Sequence, residues 1–194
     1  MALQDRAKAT REAIIAGAAS VFEAHGYASA SLTEVAEHAK VTKGALYFHF
    51  KSKEELAKAV IYAQHKMSVD QSTAILQEKH SALTAMRLLC RSFGQQLLDE
   101  SVVRAGIRLT FEASSFGHAV QQPYLDWIST MESLVRAAQR EGTVRSSVEP
   151  AALARYIVAS FTGVQMLAEV RTERRDLMEE IERMWGFLLA GITD

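Results

Sequence analysis

Three helix starts crowd into residues 31–52, and they leave room for two very short helices between two longer ones. In "SLTE", Ser31 can accept a bond from the backbone three residues on while Glu34 reaches back, the reciprocal arrangement of a capping box. Thr42 can cap a second short segment, "KGALYFH", and "KSKEEL" repeats the start signal with Ser52 and Glu55. Two short helices joined by a few residues and braced by longer neighbours form a helix-turn-helix.

The second of those short helices has unusual chemistry. Gly44 costs about 1 kcal/mol against alanine inside a helix, yet it follows Lys43 at the very start, ahead of Tyr47, Phe48, His49 and Phe50. The second helix of a helix-turn-helix enters the DNA major groove by its N-terminal end. A missing side chain at Gly44 would let the backbone approach DNA closely. Lys43 offers a cation to a guanine edge or a phosphate. Tyr47 and His49 carry polar tips suited to phosphate oxygens. Core filling is the plainer account of such rings and is adopted for Leu46 and Phe50; Tyr47, whose hydroxyl needs a partner, is assigned to DNA.

The rest of the chain predicts helix nearly throughout. It has two prolines and no concentrated alternating runs of β-branched residues, while apolar residues make up 48% and charged residues 23%, a folded rather than disordered balance. At 194 residues it suits one medium domain, or a small domain joined to a larger one. The net charge is −1, but residues 1–66 hold nine basic against seven acidic residues, so their balance is +2 and that of the remainder −3. The sign points to the N-terminal third as the anion-binding part. Cys90 stands alone, which excludes an intrachain disulfide or a cysteine zinc site, fits a reducing cytoplasm, and reads as a small buried hydrophobe. The charged start "MALQDRAKATREAII" lacks the apolar core of a signal peptide, and no run of 18 apolar residues predicts a membrane span.

Spacing predicts about nine helices. In the first, Ile14, Ala18, Val21 and Phe22 share a face, with Gly26 as a left-handed cap. Six more follow the helix-turn-helix, at roughly 53–79, 81–99, 102–114, 122–141, 150–170 and 173–191, with Pro123 and Pro150 at helix starts and Gly142 at an end. Leu83, Met86, Leu89, Cys90, Phe93 and Leu97 form a core stripe with no special role. The segment "ARYIVASFTGVQMLAE" is apolar nearly all round and needs cover on two sides. A homodimer through this helix and the next supplies it, with Gly163 allowing close approach.

Three residues stand out on otherwise apolar inward faces: Trp127 with Tyr124 and Met131, Gln64 among Leu56, Val60 and Met67, and Thr162 between Val158 and Met166. Each has an ordinary account as a buried group satisfied by backbone. Small-molecule sites, however, are mostly apolar with a few placed polar groups, and these three are assigned as ligand-binding candidates. Enzyme readings find no support. No Gly-rich phosphate loop, G-x-S-x-G or H-E-x-x-H occurs. The six histidines (25, 38, 49, 65, 80, 118) are scattered, and His118 reads as a solvated loop residue. No catalytic residue, metal ligand or cofactor is therefore assigned. The competing class is a helical protein–protein interaction module, which salt-dependent binding to duplex DNA would separate.

The stretch "SLTEVAEHAKVTKGALYFHFKSKEELAKAVI" resembles the DNA-binding region of the TetR family of bacterial transcriptional regulators, over roughly residues 10–62. The resemblance implies an all-α protein: a three-helix DNA-binding domain at 1–52, then a helical ligand-binding and dimerisation domain at 53–194. It puts Lys43, Gly44, Ala45 and Phe48 at base-facing places and Thr42, Tyr47, His49 and Lys53 at backbone-contacting ones. Within the family, "VTKGALYFHF" with a mid-chain tryptophan is similar to the γ-butyrolactone receptors of filamentous actinobacteria, in which the corresponding tryptophan lines the pocket. The implied partners are an operator duplex, a lactone-like effector and a second copy of the chain. Ligand against Trp127, bonded by Gln64 or Thr162, would then bias the long fourth helix and so the spacing of paired recognition helices.

Overall fold

Helix caps act where the local signals stand. The computed structural model describes residues 2–113 and 121–193, and among these the chain is helical with no strand. The helices are α1 (Ala2–Ser29), α2 (Leu32–His38), α3 (Lys43–His49), α4 (Lys53–Gln77), α5 (Ala82–Asp99), α6 (Ser101–Phe111), α7 (Gln122–Arg140), α8 (Pro150–Thr172) and α9 (Leu177–Ile192). His118, expected in a loop, lies outside the described residues. The Ser31–Glu34 capping box forms in both directions, at 3.2 and 3.1 Å. Thr42 Oγ1 accepts from Ala45 N at 3.1 Å, and Ser52 Oγ from Glu55 N at 3.0 Å. Glu55 itself accepts from Lys51 N, one residue before the cap, so the box is not closed on Ser52 N.

Two compact units result, one of Met1–Val69 with Asp99–Val120, the other of Asp70–Leu98 with Gln121–Asp194. In the first, α1, α2, α3 and the start of α4 close over Ile14, Phe22, Val35, Leu46, Phe50 and Leu56, all buried. Helix α6 belongs to this unit, packed along α1. Its Ala105 and Leu109 enter the same core.

Charged groups fasten α6 to the end of α1. Arg104 Nε pairs with Glu23 at 2.5 Å, and Arg108 donates to the Glu23 carbonyl at 2.6 Å and to Glu112 at 2.9 Å. Glu112 accepts from Tyr27 N at 2.6 Å. The chain turns there at Gly26, with φ 71 and ψ 177, a conformation essentially reserved for glycine. A Cβ at that position would stand 2.7 Å from Arg108 and 2.8 Å from Glu112. Gly26→Ala should therefore destabilise the protein by roughly 1–3 kcal/mol, read as a lower denaturant midpoint at unchanged slope.

In the second unit α7, α8 and α9 pack in sequence, and α5 joins them. Pro150 opens α8, and Glu149, an uncommon cap residue, accepts from Ala151 N and Ala152 N at 2.9 and 2.6 Å. Gly142 closes α7 at φ 74. The chain does not re-enter helix at 173 but at Leu177, because Glu173 and Arg174 both take positive φ and Arg174 pairs with Glu169 at 2.6 Å. The expected stripe of α9 (Leu177, Ile181, Met184, Trp185, Leu188) is buried. Cys90 is buried beside Trp185, and burial pushes its thiol up to about 12. Helix α8 holds a window of mean hydropathy 1.3, enough in length and composition to cross a membrane. Its inward stripe from Leu153 to Ala168 packs into its own bundle, as a core helix would. Its other face is bare: Tyr156, Leu167 and Val170 are 62%, 61% and 85% exposed.

Candidate functional site

At the surface of the first unit, α2 and α3 meet through a tight turn. Lys40 takes φ 53, and Val41 N and Lys40 N bond back to Ala36 O and Glu37 O, a Schellman closure made with a lysine where glycine is usual. The turn leads into Thr42 and the N-terminal end of α3. Leu46 and Phe50 are fully buried beneath α3, the anchoring roles expected of them. Thr42, Lys43, Gly44, Tyr47 and Phe48 are exposed, with Ala45 and His49 at the margin. Phe48 is 74% exposed, so the core-filling account fails for this ring. Among the described residues, the one atom within 4 Å of a Cβ built on Gly44 is Thr42 Oγ1, at 3.9 Å. Seven of the eight residues marked for DNA thus share one open surface of α3 and its cap.

Lys53, the eighth, has local work. Its ammonium donates to the Ala28 and Ala30 carbonyls at 3.0 and 3.1 Å and lies 4.7 Å over the Tyr27 ring. That ties the start of α4 to the end of α1, and it leaves at most one N–H for a phosphate. Lys51 acts similarly on α3, donating to Tyr47 O at 3.0 Å. Arg11 of α1 sits 5.0 Å over Phe50. None of these contacts is visible in a linear pattern.

The ligand candidates divide between the units. Trp127 and Thr162 lie in the second, at a cluster of rings: Trp127 to Phe161 at 5.0 Å, Trp127 to Phe93 at 5.5 Å, and Phe93 to Phe161 at 5.6 Å. Trp127 and Phe93 are only partly buried, whereas Phe161 is 1% exposed. Phe93 belongs to the stripe expected of the core; its place against Trp127 comes from α5 meeting α7 and has no signal in spacing. Thr162 donates to Val158 O at 2.8 Å and bonds the Tyr124 hydroxyl. Burial raises the Tyr124 phenol above its ordinary value, opposed by that bond to Thr162. Gln64 lies in the first unit, where its amide donates to Ser68 at 3.1 Å and its Oε1 is buried without a partner among the described residues. Its Cβ lies 2.5 Å from where a Cβ on Gly106 would stand, so α4 and α6 cross nearly backbone to backbone.

Comparison with known proteins agrees with the all-helical fold and its N-terminal helix-turn-helix. Residues 14–60 match the family model described as bacterial regulatory proteins, tetR family, and residues 80–194 match a tetracyclin repressor-like C-terminal domain. The A-factor receptor protein of Streptomyces griseus is 38% identical over 193 residues, all of this chain and 67% of that one. A solved gamma-butyrolactone receptor (ArpA-like protein) is 32% identical at a TM-score of 0.82, over 97% of this chain and 90% of that one. The TetR family protein CprB of Streptomyces coelicolor, solved in complex with its biological operator sequence, is 31% identical at a TM-score of 0.81 over the same shares.

Proposed function

The chain belongs to the TetR family of bacterial regulatory proteins, and from that premise we propose a dimeric, cytoplasmic repressor released from its operator by a γ-butyrolactone-type effector. The observation that carries the reading is the open end of α3, where a lysine, a glycine and unburied rings stand on a fully buried base. Family regulators act by binding DNA, and no catalytic step is assigned. The functional division falls at 52/53, with the first three helices reading DNA and the rest binding effector and partner.

Lys43, Gly44, Ala45 and Phe48 face bases in this proposal, and Thr42, Tyr47, His49 and the remaining donor of Lys53 face phosphates. Lys43→Ala should weaken operator binding by roughly 1–3 kcal/mol if it reads a base, or lower the salt slope by about one if it touches phosphate. Gly44→Ala should leave folding intact, since its Cβ meets open space, yet weaken operator binding by crowding the groove. Tyr47→Phe should weaken binding to every sequence alike. Fluorescence anisotropy with duplex DNA over a salt series measures all three; unchanged affinity throughout, with native circular dichroism, would sink the assignment.

The partner is a second copy, across α8 and α9. A groove of about 580 Å³ runs between them, lined by Tyr156, Ser160 and Val164 on one wall and Arg183, Phe187 and Gly191 on the other. Two-fold symmetry then sets the recognition helices about 34 Å apart, or a multiple, on a pseudo-palindrome. The effector packs on Trp127, and an apolar lactone with a short alkyl tail suits the rings around it. Thr162 and Gln64 are its polar candidates, Gln64 on the ground of its unsatisfied Oε1. Helix α4 runs from one unit into the other, so a ligand that prefers one α4 position lowers DNA affinity by its differential affinity for the two states.

A further inference from the structure

Among the described residues of the second unit, one polar side chain is buried, Gln165 at 4% exposure. It sits on the inward stripe of α8, between Phe161 and Ala168, where every other buried position is apolar. Phe161 is one helical turn earlier, about 6 Å along the axis, and its ring is the one that meets Trp127 at 5.0 Å. No described residue hydrogen-bonds the Gln165 amide, although Thr162, three residues before it, is tied to Val158 and Tyr124. Its polar atoms are not among the fully buried orphans of the described residues, Gln64 Oε1, Arg174 Nε and Trp185 Nε1, so the amide meets accessible space rather than a protein partner. Of the polar groups that spacing marked, Thr162 is committed and Gln64 keeps a bare Oε1 in the first unit, while in the second unit the uncommitted buried side chain is Gln165.

We infer that Gln165 is the polar anchor for the effector: its amide receives the ligand's polar head while the ligand's apolar body lies on Trp127, Phe93 and Phe161. The side chain presents two N–H donors and a carbonyl acceptor. The matching ligand carries a carbonyl acceptor, such as a lactone's, and gains further from a hydroxyl beside it that donates to Gln165 Oε1. This rests on the effector site proposed at Trp127. It makes Gln165 a specificity-determining residue, since a site built to bond a polar group rejects the analogue lacking it.

The test uses two probes of one skeleton, γ-decalactone and 2-hexyltetrahydrofuran, which lacks the ring carbonyl. Binding is read by Trp127 quenching in the Trp185→Phe background, with native and Gln165→Leu chains. The native residue should favour the lactone by roughly tenfold or more, and Gln165→Leu should bring the two within about twofold while operator binding persists. Gln165→Met repeats the reading should the branched residue fit poorly. Quenching with an undiminished lactone preference in both variants overturns the role of Gln165 alone. Absence of quenching by γ-decalactone in the native-Gln165 chain overturns the effector site at Trp127 and this inference with it.

Discussion

Val164→Arg should yield a folded monomer that binds operator DNA about 10²–10⁴-fold more weakly, the range in which linking two binding units exceeds either alone. Val164 lies on the groove wall between α8 and α9, beside a face where Leu167, Val170 and Phe187 are 61%, 85% and 83% exposed. Contiguous apolar surface of this kind marks an association site. In a two-fold interface each new guanidinium would enter an apolar contact near its own symmetry copy, a desolvated charge without a partner. Folding should persist, because Val164 is outside the inward stripe of α8. Sedimentation equilibrium and a DNA titration on one preparation check the prediction. A native chain that is monomeric at micromolar concentration, or a monomeric variant that binds as tightly, would refute the dimer.

Trp127→Ala should keep operator affinity and lose the response to effector by roughly a hundredfold or more, as the loss of a large aromatic contact surface implies. Trp127 is partly buried and leans on Phe161 and Phe93, so its removal takes away one wall of the ring cluster and leaves the recognition surface of α3 untouched. The two readouts separate cleanly. A titration of the preformed protein–DNA complex with γ-decalactone should release DNA from the native chain and not from the variant. Release at native concentrations would place the effector elsewhere.

Short-range chemistry was legible in the sequence. The caps at Ser31, Thr42 and Ser52, the glycine-only turn at Gly26, and the inward stripes of α5 and α9 each depend on residues within about a turn of one another. Several boundaries moved by one to four residues, among them the end of α6, expected at 114 and found at Phe111, and the start of α9. The start of α9 slipped to Leu177 because two positive-φ residues and the Arg174–Glu169 pair hold the turn open.

By itself the sequence determined an all-helical chain, a helix-turn-helix at 31–50, and a surface on α3 bearing Lys43, Gly44 and Tyr47, because these follow from periodicity and capping along one segment. Only the tertiary structure decided which distant residues meet. It put α6 with α1 through Glu23, Arg104, Arg108 and Glu112, turned Lys53 onto the end of α1, and brought Phe93 against Trp127. It also tied Thr162 to Tyr124 while leaving Gln165 buried and unbonded. Helical spacing tells which face a residue occupies, but whether a polar group on that face is satisfied depends on what another helix, far away in the chain, brings to it.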